Sequence, residues 1–348
     1  MPCGKSRCYE VRAIFSNSNC GTVASLLISN RVSVPRSGSD PCTTPNTWVS
    51  LPAPPANMPV RASHVTIAHG DFVYVGFGRS AALFNSCLDD WWRWEACFGT
   101  WTQLASPPVN FRDGSFIFAI GPYIYVGGGR YQCAGGGPYN SFYRYDPATN
   151  TWTQRANFPE PRLYNGVGAS DGTYGYVAGG RDDPGSVPTN ALYRYDPTAN
   201  SWTQISSIPG NVGREKLFMA YYQGKLYIGG GWTGSLCRQD FYAYDIQTGN
   251  WTTLADHPFE NTDGWAVAYN GKIYVTGQGN CVGGYRCTNQ YYYYDIASNA
   301  WSPMPVFPGG RRQGLELVEL GEVLYGGWGA NCFPPPETFP RDWWAFCP

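Results

Sequence analysis

The chain has 348 residues, a formal net charge of -1, 16% aromatic and 14% charged residues. That balance argues against a nucleic-acid binder working by phosphate neutralisation, and no apolar run approaches the roughly 20 residues of a membrane-spanning helix. Twelve cysteines without a compact metal motif point instead to disulfides and an oxidising, extracellular or cell-surface setting.

Residues 1 to 45 form a cysteine-containing β-arm and linker. Cys8 to Phe15 alternates Tyr9, Val11, Ala13 and Phe15 against Glu10, Arg12 and Ile14, and Thr22 to Ile28 is a second strand-like run. Two strands cannot build an independent core. The arm therefore packs on its own chain or adds as an extra strand to a neighbouring copy, a heterologous contact that leads to fibres. Arg31 to Pro45, rich in Ser, Pro and Thr, is the linker that permits either outcome.

Residues 46 to 348 are repetitive. Tyr143-Arg144-Tyr145-Asp146 followed by Trp152 returns as Tyr193 to Trp202, Tyr242 to Trp251 and Tyr292 to Trp301, with the acid always six positions before the indole. Each copy reads as a strand, a tight turn opened by Asp, and a second strand opening on Trp. Upstream of each lies a strand ending in glycines, such as Ile124-Tyr125-Val126-Gly127-Gly128-Gly129. Trp48, Trp101, Trp152, Trp202, Trp251 and Trp301 are separated by 53, 51, 50, 49 and 50 residues.

A period near fifty with glycine corners and paired aromatics resembles the kelch repeat. The resemblance implies an all-β, six-bladed kelch-type β-propeller of four-stranded blades. Asp342-Trp343-Trp344 supplies the third strand of the last blade, and Asn46-Thr47-Trp48-Val49 supplies the missing fourth, so an N-terminal strand closes the ring. On this layout Cys42 with Cys347 would lock the closure, and Cys281 with Cys287 is the best local pair.

Arginines recur at the start of the innermost strands, as Arg61, Arg112, Arg162, Arg214 and Arg311, with Thr262-Asp263 replacing the series in the fifth blade. One reading is structural, an arginine tying neighbouring blades together. The other is a binding ring for an anion or sugar at the channel mouth, since guanidinium is a fixed, bidentate charge.

The propeller also resembles that of galactose-oxidase-type copper enzymes, but His64 and His69 are five positions apart on or beside one strand and face opposite ways. No metal or other cofactor is expected, and no nucleophile-elbow, zinc-protease or phosphate-loop motif occurs. The chain also resembles, in fold and without a residue-by-residue catalytic motif, the six-bladed kelch-like sialic acid mutarotases. That resemblance implies sugar chemistry at the upper channel mouth, with Arg162 and Arg214 to hold a carboxylate and Glu215 and Asp263 to move the proton. The reading that the sequence favours is a disulfide-braced interaction or structural module whose partner is another copy, another extracellular protein or a glycan. The carbohydrate enzyme is its alternative.

Overall fold

The computed structural model describes residues 41–80, 86–108, 112–130, 139–160, 163–182, 187–279, 287–331 and 338–348. Six four-stranded antiparallel sheets follow one another along the chain. Their inner strands are Val65–His69 (blade 1), Asp113–Ile120 (blade 2), Val167–Ser170 (blade 3), Glu215–Tyr222 (blade 4), Asn261–Tyr269 (blade 5) and Glu316–Leu320 (blade 6). No helix occurs among the described residues. Two-stranded ribbons, Leu163–Tyr164 with Arg181–Asp182 and Arg79–Ser80 with Ser86–Cys87, extend from blades 3 and 1.

The ring is closed by the N-terminal strand. Thr47–Leu51 is the outer strand of blade 6 and pairs antiparallel with Trp343–Cys347, Trp48 standing opposite Phe346. Cys42 and Cys347 are joined by a disulfide that spans 305 residues of sequence. Cys87, Cys97, Cys237 and Cys287 are also disulfide-bonded. The proposed partner Cys281 lies outside the described residues, as does the arm from residue 1 to 40.

The recurring Tyr-Asp-Asn-Trp pattern acts as a clamp between blades. Asp146 accepts from Ala148 N at 2.9 Å and Asp196 from Thr198 N at 2.8 Å, which fixes the turn. Asn150, Asn200 and Asn299 then adopt φ of 54°, 51° and 51°, a left-handed conformation that Asn tolerates. Each Asn Oδ1 accepts from the tyrosine hydroxyl of its own blade and from a backbone N–H of the preceding blade, as Tyr195 and Ala156 do for Asn200. Trp202 Nε1 returns a bond to Ala156 O at 3.1 Å, and Trp152 and Trp301 do the same to Ala105 and Ala255. Aromatic side chains therefore satisfy their polar ends while burying large rings between sheets. Trp101 Nε1 is buried with no partner among the described residues.

Candidate functional site at the channel mouth

One residue at the start of each inner strand takes a left-handed turn: Ser63, Gly114, Asn165, Lys216, Asp263 and Gly314, with φ between 50° and 67°. Backbone bonds link them across blades, Gly114 N to Ser63 O at 3.2 Å, Asn165 N to Gly114 O at 2.8 Å and Lys216 N to Asn165 O at 2.8 Å. The register is set by conformation, so the side-chain identity at each position is free to vary. Lysine gains nothing locally from this conformation, which costs a non-glycine residue about 1–2 kcal/mol. At Lys216 the surrounding hydrogen bonds hold it, and the side chain is delivered to the channel.

The result is a polar rim. Lys216 Nζ meets Asp263 Oδ1 at 2.9 Å across the boundary between blades 4 and 5, and Gln313 Nε2 donates to Asp263 Oδ2 at 2.8 Å. Glu215 accepts from Asn165 Nδ2 at 2.8 Å and from Arg181 at 2.7 Å, and the Arg181 guanidinium lies 4.8 Å from the Trp232 ring. Asp113 pairs with Arg130 at 3.3 Å; burial pushes its carboxyl up, and Arg130 offsets part of that. Lys216, Asp263, Gln313, His64 and Glu316 border a central cavity of about 80 Å³. Water occupies about 30 Å³ in the liquid, so the cavity has room for one substituent of a ligand lying on the rim.

Below the rim, Glu316 and His64 approach to 3.8 Å. Burial pushes Glu316 well above the usual carboxyl range and, with the nearby Arg61 charge adding to it, pushes His64 well below the usual imidazole range. Burial therefore favours the uncharged form of both partners, and His64 also packs edge-on to Trp328 at 5.6 Å. Burial of this kind favours the form of a carboxyl that can donate a proton.

The arginines expected to ring this mouth are elsewhere. Arg61 binds Asp90 bidentately at 2.9 and 2.6 Å, Arg214 binds Asp240 at 2.6 and 3.0 Å, and Arg312 binds Asp342 at 3.0 and 2.6 Å. Arg112 instead uses Ser141 Oγ at 2.6 Å and Gly128 O at 2.8 Å, and burial lowers it to about 10. Each also donates to the carbonyl sixteen residues on, in Phe77, Gly128, Gly230 and Trp328. They brace the first, second and third strands of one blade and do not tie neighbouring blades. Arg61, Arg112 and Arg214 have no guanidinium to offer a ligand, being 0%, 4% and 0% exposed. Arg311 is exposed; the equivalent buried position is Arg312, one residue later. In blade 3 the same register is occupied by Leu163, and Arg162 lies outside the described residues. Of the four proposed catalytic residues, Glu215 and Asp263 reach the rim and Arg214 is sealed behind it. Sequence reasoning missed Lys216, Arg181 and Glu316 and weighed His64 only as a metal ligand; an acid at the first position of an inner strand is the signal that could have found Glu316.

The fold and rim define a class. Residues 42–212 match the KLHDC2/KLHL20/DRC7 Kelch-repeats domain and residues 219–258 match the Kelch motif, and the chain belongs to the kelch-repeat propellers. Among curated proteins, it is similar to the N-acetylneuraminate epimerases of Haemophilus influenzae strains PittEE and 86-028NP, at 32% identity over 114 residues. That stretch covers 32% of this chain and 29% of those relatives. Among solved structures, that of YjhT superposes with a TM-score of 0.69 at 18% identity, covering 83% of this chain and 95% of that one, a likeness of fold.

Proposed function

We propose that the channel mouth binds a sugar and promotes proton transfer at its anomeric centre. The observation that carries this reading is the pairing, around one cavity, of a carboxyl whose protonated form burial favours (Glu316) with a carboxylate bonded to lysine (Asp263). Anomerisation needs such a pair. Glu316 donates a proton to the ring oxygen while Asp263 takes the anomeric hydroxyl proton. The bond from the anomeric carbon to the ring oxygen breaks and a carbonyl forms. Rotation and the reverse transfers then close the ring on the other face. Lys216 and Arg79, which also border the cavity, suit a carboxylate substituent by charge. The relatives named for N-acetylneuraminate add support for an acidic sugar.

The test is exchange NMR on the α and β anomers of N-acetylneuraminate. The full chain should accelerate their interconversion, and Asp263→Asn and Glu316→Gln should each reduce the acceleration at least about tenfold, in the range of a lost general acid or base. No acceleration by the folded protein would exclude the activity.

Export to an oxidising compartment is the second part of the reading. All six cysteines among the described residues are disulfide-bonded, the usage of secreted proteins. Fibre assembly through strand donation by residues 1 to 45 draws no support from the described residues, because the arm's strand-like runs, Cys8 to Phe15 and Thr22 to Ile28, lie outside them. Non-reducing mass mapping of the native protein tests the disulfides; free thiols at Cys87, Cys97, Cys237 or Cys287 would count against export.

A further inference from the structure

Blade 5 lacks the arginine brace. The residue two positions before the left-handed turn is Arg61, Arg112, Arg214 and Arg312 in blades 1, 2, 4 and 6, but Asn261 in blade 5. The partner position before the third strand, Asp90, Asp240 or Asp342 elsewhere, is Gln290, whose amide is turned to Tyr291 O at 3.1 Å and Met304 O at 2.6 Å. In blade 3 the shorter side chain is Leu163, buried and packed into the apolar cluster with Phe158 and Val177. Asn261 is not compensated in that way. A pocket of about 380 Å³ borders it.

Two buried polar atoms on residues that line this pocket have no partner among the described residues. Asn261 Oδ1 is one; its residue is 4% exposed and its amide reaches only Thr276 O, at 3.4 Å. His257 Nε2 is the other, in a residue 5% exposed. His257 Nδ1 lies 2.7 Å from Phe259 O. Phe259 N also approaches Nδ1, at 3.2 Å; in the tautomer that donates Nδ1–H to the nearer Phe259 O, Nε2 is a bare acceptor, and burial lowers the imidazole to about 4, so it stays neutral. Unsatisfied buried acceptors are costly, and a ligand with hydroxyl or amide donors would satisfy them. Phe259, 53% exposed, is tilted against Tyr292 at 5.6 Å on the pocket wall, and exposed Arg311 borders it.

We infer that this arginine-sized vacancy is a second, peripheral binding site for one acidic or N-acetylated sugar residue. Its hydroxyl or amide protons meet Asn261 Oδ1 and His257 Nε2, its apolar face meets Phe259 and Tyr292, and its carboxylate meets Arg311. A guanidinium from a partner protein is the other shape that fits. It is disfavoured by the loss of the aspartate, replaced by Gln290, and by the cationic Arg311. The volume falls in the range of small-ligand sites, about 300–1,000 Å³. This inference is independent of chemistry at the channel.

The test is saturation-transfer NMR and calorimetry on the full chain with N-acetylneuraminate, glucuronate, N-acetylglucosamine and arginine amide as probes. Asn261→Arg fills the pocket with the side chain that four other blades accommodate, here without the aspartate that three of them supply. It should weaken binding of the acidic or N-acetylated sugar at least about tenfold, a factor of about 1.4 kcal/mol. Asp263→Asn should leave this binding in place. Phe259→Ala, at an exposed position, should also weaken it, and decides the matter should Asn261→Arg fold poorly. Binding of no sugar probe, binding lost with Asp263→Asn but kept with Phe259→Ala, or binding of arginine amide alone would overturn the inference.

Discussion

Trp48 Nε1 donates to the carbonyl of Pro305 at 3.0 Å, joining the first described strand of the chain to the connection that follows blade 5. The same ring packs against Phe307 and Phe346, both at 4.9 Å. The closing strand is therefore held by a ladder, an indole and the Cys42–Cys347 bond together.

Replacing Cys42 and Cys347 by serine should lower unfolding stability by about 2–5 kcal/mol, because the bond restricts a long loop in the unfolded chain. Hydrogen exchange should quicken first in Thr47–Leu51 and Trp343–Cys347. Denaturant unfolding followed by exchange mass spectrometry measures both, and unchanged protection in these two strands would show that the disulfide is not needed for closure.

The asparagine clamp makes a second expectation. Asn200→Ala removes the acceptor of Tyr195 OH and Ala156 N at once. The expected loss is about 1–3 kcal/mol, the penalty of stranding a buried donor. Adding Tyr195→Phe removes one stranded donor and should recover part of the loss, so urea titrations of the single and double variants form an internal control.

Buried charge pairs behave differently. Asp90→Ala leaves the Arg61 guanidinium, 0% exposed, without its carboxylate. A loss of about 3–5 kcal/mol is expected, whereas removing the exposed Arg311 should change stability by less than about 0.5 kcal/mol. Thermal unfolding of the two variants compares a brace with a rim residue.

Stability should also depend on pH through Glu316. Its folded value is raised above 4.5, so the native state holds the proton where the unfolded chain has released it. That contribution is fully present below about pH 4.5 and is lost as pH rises through the folded value. His64 runs the other way: its folded value is lowered from 6.5, so its contribution is present above that pH and is lost as pH falls below it. Glu316→Gln should therefore gain stability relative to the parent as pH rises above about 4.5, read as a diverging pair of melting curves; parallel curves from pH 5 to 9 would show that the carboxyl is not buried in its neutral form.

The sequence carried the fold far because the turn and inter-sheet contacts reuse the same residues. Asp146, Asn150 and Trp152 each have one job dictated by geometry, and the job recurs with its residue type. Closure was legible for the same reason, since Trp48 lacks a blade of its own. The rim was less legible. Its register is fixed by a left-handed backbone that Ser63, Gly114, Asn165, Lys216, Asp263 and Gly314 all adopt, so no residue type marks it. The arginines misled because their spacing is regular while their guanidinium groups turn into the blade. A one-residue ambiguity at Arg311-Arg312 further put the exposed side chain in the place of the buried one.

The most direct measurement of the central claim is two-dimensional exchange NMR of N-acetylneuraminate anomers with the purified full chain at near-neutral pH. The account expects faster interconversion with the parent protein, and its loss with Asp263→Asn and with Glu316→Gln while both variants keep cooperative unfolding. Interconversion at the uncatalysed rate, or acceleration that survives both substitutions, would contradict it.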